Sequence, residues 1–290
     1  LAMALAVVSP SGIPALVTGV VLIASSFGPT LALSALPANL TQTFASARRL
    51  FALMDERPAV VETGTAAPAY RGMALDHVTF AYGDDEPVLG DLSLDVPRSG
   101  ILGVQGPSGR GKSTVLKLLM RYWDPQHGAV LFSGEPLPGV DAHHRRRVQT
   151  MMSQETALFD GTIRENLMIA LPAESAAATG SDADALLREA CRKASVLDLI
   201  DTLPDGLDTQ VGELGDRLSE GERQRIGLAR VFLRNADLVL FDEPTSRLDA
   251  LNEAVILQSI NALADERDAA IVLVSHRAST MRIADRVLRM

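Results

Sequence analysis

Apolar positions along the chain fall into two regimes, and the change between them is abrupt. From Ile13 to Leu36 they form a run of 24 mostly apolar residues. As a helix this run would measure ~36 Å, enough to cross a hydrocarbon core of ~30 Å with some tilt. The shorter run from Leu1 to Val8, followed by SPSG, predicts the end of a preceding span and a tight turn. Pro14 suits a first helical turn, whereas Pro29 after Gly28 predicts a kink. Phe44, Ala47, Leu50, Phe51 and Met54 recur at helical spacing, so a cytoplasmic extension of the helix is expected over 41–56. Pro58 and the stretch ETGTAAPAY then predict a linker over 58–72. Beyond it the period shortens: MALDHVTFAY alternates like a strand, and LSLDV, ILGV, ADLVLF and AAIVLV predict further strands.

Charge sharpens this division. No Asp, Glu, Lys, Arg or His occurs from Leu1 to Ala47, and Arg48 and Arg49 follow at once. By the positive-inside rule that end of the span faces the cytoplasm. A signal peptide is the weaker reading, because the run has no basic leader. A buried soluble helix is weaker still, since so long an uncharged stretch is unusual in a soluble domain. Residues 1–57 are therefore expected to be the end of a multi-pass membrane domain, with the chain beginning inside that domain and stopping short of the last domain's end. The net charge of −9 argues against nucleic acid as a partner. The basic run HHRRR at 143–147 has no interleaved aromatic residue and reads as a solvated helix start. Cys191, the single cysteine, excludes an internal disulfide and reads as a packed thiol on a helix.

The chemistry is concentrated after the linker. ILGV runs into GPSGRGKST, a phosphate-loop pattern with Gly106, Gly111, Lys112 and Ser113 at the required spacing. Glycines let backbone N–H groups turn in around phosphate oxygens, and the helix that follows adds its positive end. Gly106, Pro107, Ser108, Gly109, Gly111, Lys112, Ser113 and Thr114 are thus expected to bind a nucleotide. Lys112 would reach the β- and γ-phosphates, and Ser113 would coordinate Mg²⁺. A second strand, ADLVLF, ends in Asp242 and Glu243. Two carboxylates at the end of a buried strand are costly unless a cation waits there. Asp242 would hold Mg²⁺ through water, and Glu243 would orient or deprotonate an attacking water. A third strand ends in His276, at the edge of a sheet where ligands bind. Together these features specify an α/β fold that hydrolyses Mg-ATP.

The ordered set of motifs resembles the last part of an ATP-binding cassette (ABC) exporter half-transporter. FAYG with Tyr82, the phosphate loop, MMSQ with Gln154, TQVGELG (209–215), LSEGERQR (218–225), the Asp242–Glu243 pair, SRLD (246–249) and His276 fall in the family's order. The resemblance implies an ABC ATPase domain over 73–290, with a mixed sheet core and a helical subdomain near 155–217, behind the last transmembrane helix or helices. It implies that Tyr82 stacks on adenine, that Gln154 contacts Mg²⁺ and the attacking water, that Asp249 crosses a dimer interface, and that His276 touches the γ-phosphate. GTIRENL (161–167) resembles the segment that faces the membrane domain. The stretches ARRLFALMDERP and RYWDPQHG resemble bacterial thiol-reductant or amino-acid exporter subunits.

One position departs from the family pattern. The family signature reads L-S-G-G-Q or L-S-G-G-E, and here Glu220 stands where glycine is expected. Ser219 and Gly221 are implied to face ATP held by a second subunit, and unless Glu220 turns outward its charge is expected to repel that ATP and weaken hydrolysis at the site. Ser219 to Glu222 also has the form of a capping box, which is a local reason for these residues at a helix start. The implied partners are a second half-transporter, with a heterodimer favoured over a homodimer, the lipid bilayer, and a small-molecule substrate. Two other functions fit parts of the pattern: a non-transport ABC ATPase, and a channel or regulator that uses ATP as a switch.

Overall fold

The computed structural model describes residues 12–83, 85–172 and 181–290, with the side chains of 29–35, 38, 39 and 181 outside the described set. The chain divides into two compact units, Leu1–Pro58 and Ala59–Met290. In the first unit, helix α1 (Gly12–Met54) is 43 residues long and continues as helix through Pro29 and Pro37. Hydroxyls on this helix bond back to its own carbonyls: Thr18 Oγ1 donates to Pro14 O and Thr41 Oγ1 to Pro37 O, each at 2.8 Å. Val17, Val20, Val21, Leu22, Ile23 and Phe27 are all exposed. Among the described residues no helix is long and apolar enough to cross a membrane. The expected span over 13–36 takes in 29–35, whose side chains lie outside that set, and the expected run Leu1–Val8 lies outside it altogether.

The second unit contains two sheets. β1 (Met73–Phe80), β2 (Leu89–Val96), β4 (His127–Phe132) and the short β5 (Glu135–Pro136) form an antiparallel sheet in the order β2-β1-β4-β5. Met73, Leu75, Val78 and Phe80 of β1 are buried. Their spacing slips by one residue because register shifts interrupt the pairing between Leu75 and Val78, where His77 adopts a positive φ of 48°.

The larger sheet is parallel. It comprises β3 (Gly100–Gln105), β6 (Gln149–Met152), β7 (Leu238–Asp242), β8 (Ala270–Ser275) and β9 (Arg286–Arg289), in the order β6-β7-β8-β3-β9. Every residue of β7 and β8 is buried, which explains why LVLF and AIVLV read as unbroken apolar runs. Gln105 pairs with Ser275, and Asp242 with Val274. The carboxyl ends of β3, β8 and β7 therefore lie side by side at one edge. Helices α2 (Lys112–Leu119), α3 (Ala142–Val148), α4 (Ile163–Met168), α5 (Ser181–Lys193), α6 (Leu197–Thr202), α7 (Glu220–Arg234) and α8 (Ala250–Arg267) complete the unit. Leu187, Ala190 and Cys191 of α5 join Ile226, Leu228 and Phe232 of α7 in one apolar cluster. Cys191 is fully buried, and burial pushes its thiol up to about 12, so it is a packed thiol on a helix.

The segment expected as a linker is fastened to this unit. Thr65 and Ala66 donate to Gly139 O, Asp141 N donates to Ala66 O, and Arg71 N donates to Ser133 Oγ. Gly64 runs so close to the backbone at Val140 that a Cβ there would lie 2.4 Å from its carbonyl oxygen. The Glu62 carboxylate takes Arg121 at 2.7 Å and Arg145 at 2.6 Å. This corrects the solvated reading of HHRRR. Asp141 caps α3, and Arg146 is exposed, but Arg145 is turned inward and only 3% exposed because Glu62 waits for it there.

Candidate active site

The three strand ends each deliver a functional group. After β3 the chain turns through Gly106–Gly111 into α2, and Gly109 (φ 81°) and Gly111 (φ 82°) lie in the left-handed region. At Gly111 a Cβ would also meet Leu89 Cδ2 at 2.6 Å, so glycine is needed there for space as well as for conformation. Pro107, Ser108 and Gly109 are exposed at the tip of the turn, whereas Lys112 is buried. The Lys112 ammonium donates to Pro107 O at 2.9 Å and lies 3.8 Å from Glu243 Oε1. Ser113 Oγ donates to Asp242 Oδ1 at 2.8 Å, which joins the start of α2 to the end of β7. His276 Nδ1 lies 3.2 Å from Glu243 Oε2. Lys112, Ser113, Asp242, Glu243 and His276 are thus brought together by two hydrogen bonds, Ser113–Asp242 and His276–Glu243, and by the Lys112–Glu243 ion pair, from three segments separate in the sequence.

The backbone shapes the Glu243 position. Glu243 has φ 49° and precedes Pro244, which disfavours the ordinary helical conformation. Its N–H donates to Val274 O at 3.0 Å and its carbonyl accepts from Ser246 N at 3.1 Å. A non-glycine residue held in this region marks strain of the kind kept at functional sites. Asp242 is almost fully buried, and burial pushes its carboxyl above the usual range, with the Glu243 charge adding to the effect and the Ser113 hydrogen bond opposing it. Such a group stabilises the fold below the ordinary carboxylate pKa, and that contribution is lost as pH rises through the raised value. At neutral pH the ionised Asp242 is a cost that a bound cation would offset. Asp242→Asn keeps an acceptor for Ser113 and removes the charge. It is expected to raise the melting midpoint of nucleotide-free protein by roughly 3 °C, as about 1 kcal/mol would in a domain of this size, while lowering ATP turnover. A thermal scan paired with a phosphate-release assay checks both halves.

Among the described residues no group of three or more His, Cys, Asp and Glu is placed to hold a metal unaided. The hydroxyl of Ser113 and the desolvated carboxylate of Asp242 are nonetheless hard oxygen donors, and they suit Mg²⁺, which keeps waters and takes phosphate oxygens as further ligands.

Of the remaining expected residues, Tyr82 and Gln154 bond to segments next to this group, whereas among the described residues no hydrogen bond or ion pair ties Ser219, Gly221 or Asp249 to it. Tyr82 OH is 3.1 Å from Thr114 Oγ1, and the Tyr82 ring meets Trp123 edge-on with centroids 5.2 Å apart. Lys117 Nζ sits 5.7 Å from both ring centroids. Gln154 Nε2 donates to Ser246 Oγ at 3.3 Å, beside the turn that carries Glu243. Asp249 caps α8, accepting from Asn252 N at 2.9 Å. Ser219 caps α7 in the expected capping box: its Oγ accepts from Glu222 N at 3.4 Å and its N–H donates to Glu222 Oε2 at 2.8 Å. Gly221 is buried against Asn252, where a Cβ would touch the amide at 3.4 Å. Among the described residues no hydrogen bond or ion pair joins Ser219 or Gly221 to the 106–114 loop. Glu220, whose direction the sequence leaves open, is ion-paired with Arg223. Lys117 lies outside the sequence motifs, and Trp123, Ser246 and Arg223 lie inside RYWDPQHG, SRLD and LSEGERQR without a role of their own there. Only Arg223 leaves a legible trace there, as a basic residue three positions from an acidic one on a helix.

Residues 89–246, more than half of the chain, match the family described as ABC transporter. The chain belongs to that family, and its α/β unit is an ABC ATP-binding domain. It is 45% identical over 279 residues to the "Probable ABC transporter ATP-binding/permease protein" of Haemophilus influenzae, covering 94% of this chain and 48% of that protein. It is 38% identical over 280 residues to the Mycobactin import ATP-binding/permease protein IrtB of Mycolicibacterium smegmatis, covering 95% of this chain and 46% of that one. A solved structure of a bacterial Atm1-family ABC exporter with ATP bound superposes with a TM-score of 0.76 at 30% identity, over 95% of this chain and 47% of that chain. The chain thus spans about half the length of the curated relatives it matches.

Proposed function

We propose that this chain is the ATP-binding/permease subunit of an ABC exporter, coupling Mg-ATP binding and hydrolysis to movement of a small solute across the cytoplasmic membrane. The observation that carries this reading is the assembly of Lys112, Ser113, Asp242, Glu243 and His276 at one edge of the parallel sheet. Residues 1–57 are assigned to the end of a multi-pass membrane domain with a span near 13–36 and an extension over 41–56. The following 58–72 connect it to the nucleotide-binding domain at 73–290, with its helical subdomain near 155–217. The length of α1, its exposed apolar side chains and the absence of charge before Arg48 support that assignment.

In this reading the 106–114 backbone cradles the phosphates, and Tyr82 carries the adenine. The Lys112 ammonium exchanges Pro107 O for β- and γ-phosphate oxygens. Ser113, Asp242 and Gln154 would hold Mg²⁺, which neutralises phosphate charge when bound. Glu243 accepts a proton from, or orients, the attacking water, and His276 supports the γ-phosphate from the same side. Ser219, Gly221 and Asp249 serve a nucleotide shared with a second half-transporter. A heterodimer is favoured over a homodimer, because a signature carrying Glu220 is then matched with an unaltered one and the two sites differ in turnover.

The test uses the full-length protein with its partner. Lys112→Ala is expected to weaken Mg-ATP binding at this chain's site by tenfold or more and to remove its hydrolysis. Unchanged affinity would overturn the nucleotide assignment.

A further inference from the structure

The signature segment contains a contact that the ATPase reading does not use. Glu220 opens α7, and its carboxylate is bound by the Arg223 guanidinium, both side chains being about a quarter exposed. The same guanidinium donates through Nη1 to Leu218 O at 2.8 Å and to Gly215 O at 3.2 Å. Arg223 therefore holds three acceptors: the carboxylate and two carbonyls of the turn just before the Ser219 cap. The turn is built around its stem, since at Gly215 (φ 73°) a Cβ would meet Arg223 Cδ at 3.1 Å. The pair borders a cleft of about 450 Å³ that is also lined by Glu155, Glu213, Asp216 and Arg247. Arg247 is ion-paired with Glu155. Without Arg223, the cleft would hold four carboxylates against one cation.

We propose that Arg223 is a positioning residue that cancels the Glu220 charge and fixes the 215–218 turn, so that a signature with glutamate in place of glycine still receives the phosphates of a partner's ATP. This rests on the ABC ATPase reading above. It moves any asymmetry between the two sites from nucleotide affinity to turnover, because the charge that would repel ATP is already paired. An exposed surface pair would do little of this. Here the partial burial and the two carbonyl bonds hold the guanidinium in place.

The experiment measures KM for Mg-ATP and kcat in the full-length pair, with the partner left wild type. Arg223→Ala is expected to raise KM about tenfold or more, by leaving an unpaired carboxylate facing phosphate at a partly exposed site, and added salt should narrow the difference. Glu220→Gln alone should leave KM within about threefold of wild type. The double variant Glu220→Gln/Arg223→Ala should recover most of the loss in KM, leaving only the part due to the missing brace on the 215–218 turn. Were Arg223 only a brace for the turn, the double variant would stay as impaired as Arg223→Ala, and that result overturns the proposal. So does a tenfold fall in KM for Glu220→Gln. Should Arg223→Ala not fold, Arg223→Gln replaces it in the same comparison. A failure of the underlying reading is separate: it would appear as undiminished hydrolysis after Glu243→Gln.

Discussion

Glu243→Gln is expected to lower ATP hydrolysis at this chain's site by about 10²- to 10⁴-fold, the range that a positioned acid–base group contributes, while Mg-ATP still binds. The substitution keeps the size of the side chain and an oxygen able to face His276 Nδ1, which lies 3.2 Å from the carboxylate. The amide cannot take a proton from water. The backbone at φ 49° is unaffected, because its N–H and carbonyl bonds to Val274 and Ser246 do not involve the side chain. Loss of the negative charge also removes the attraction on Lys112 Nζ, 3.8 Å away, which frees the ammonium for phosphate. Trapped Mg-ATP that survives washing, together with absent phosphate release, is the expected signature. A variant that hydrolyses ATP at the wild-type rate would exclude Glu243 from the chemistry.

Glu62→Ala should be the most destabilising single change outside the core. Arg121 and Arg145 are almost fully buried, and both point at the Glu62 carboxylate. Arg121 keeps Asp124 at 2.9 Å if Glu62 is removed, but Arg145 loses its acidic partner and its Nε already lacks a hydrogen bond. Removing one partner of a buried pair typically costs about 3 kcal/mol, which in a domain of this size lowers the melting midpoint by on the order of 8 °C. The Arg145 hydrogen bond, and then the charges of Arg145, Arg121 and Arg146, hold the Glu62 carboxyl below its usual range against the opposing effect of burial. A depressed carboxylate contributes stability that is full above its unfolded pKa of about 4.3 and is lost as pH falls through the lower folded value. Wild-type protein should therefore lose stability on acidification below about pH 4.3, and Glu62→Gln should lose less over that window. Equal acid sensitivity in the two proteins would remove Glu62 from the account.

The sequence made the phosphate loop and the strand-end carboxylates legible because each is contiguous and sits on a short apolar run whose burial is itself readable. The capping box at Ser219 and Glu222 is legible because the two residues stand three apart at a helix start. The Glu62 clamp was not, since its partners lie 59 and 83 residues away along the chain. No local pattern announces that a linker glutamate will meet a helix arginine. HHRRR reads as a solvated helix start, yet Arg145 is buried, because a helix start shows only part of its circumference to water. The direction of Glu220 was undecided for a related reason. A residue at the first turn can point along the helix end or back toward position i+3, and the carbonyls of Gly215 and Leu218 that fix Arg223 come from another turn. The break in the β1 pairing at His77 shows in the sequence only as the adjacent polar pair Asp76–His77 between Leu75 and Val78. In each case the missing information is a tertiary partner, not a propensity.

ATP hydrolysis at the Ser113–Asp242–Glu243 edge is proposed to drive solute movement. This coupling is tested most directly by flux across vesicles containing the full-length protein and its partner, followed in both directions because one relative is named for import. The account predicts solute movement with Mg-ATP that stops when Glu243→Gln blocks hydrolysis, although ATP still binds. Flux that persists at full rate in that variant would contradict it and would make ATP a switch on a gated pathway instead of the source of work.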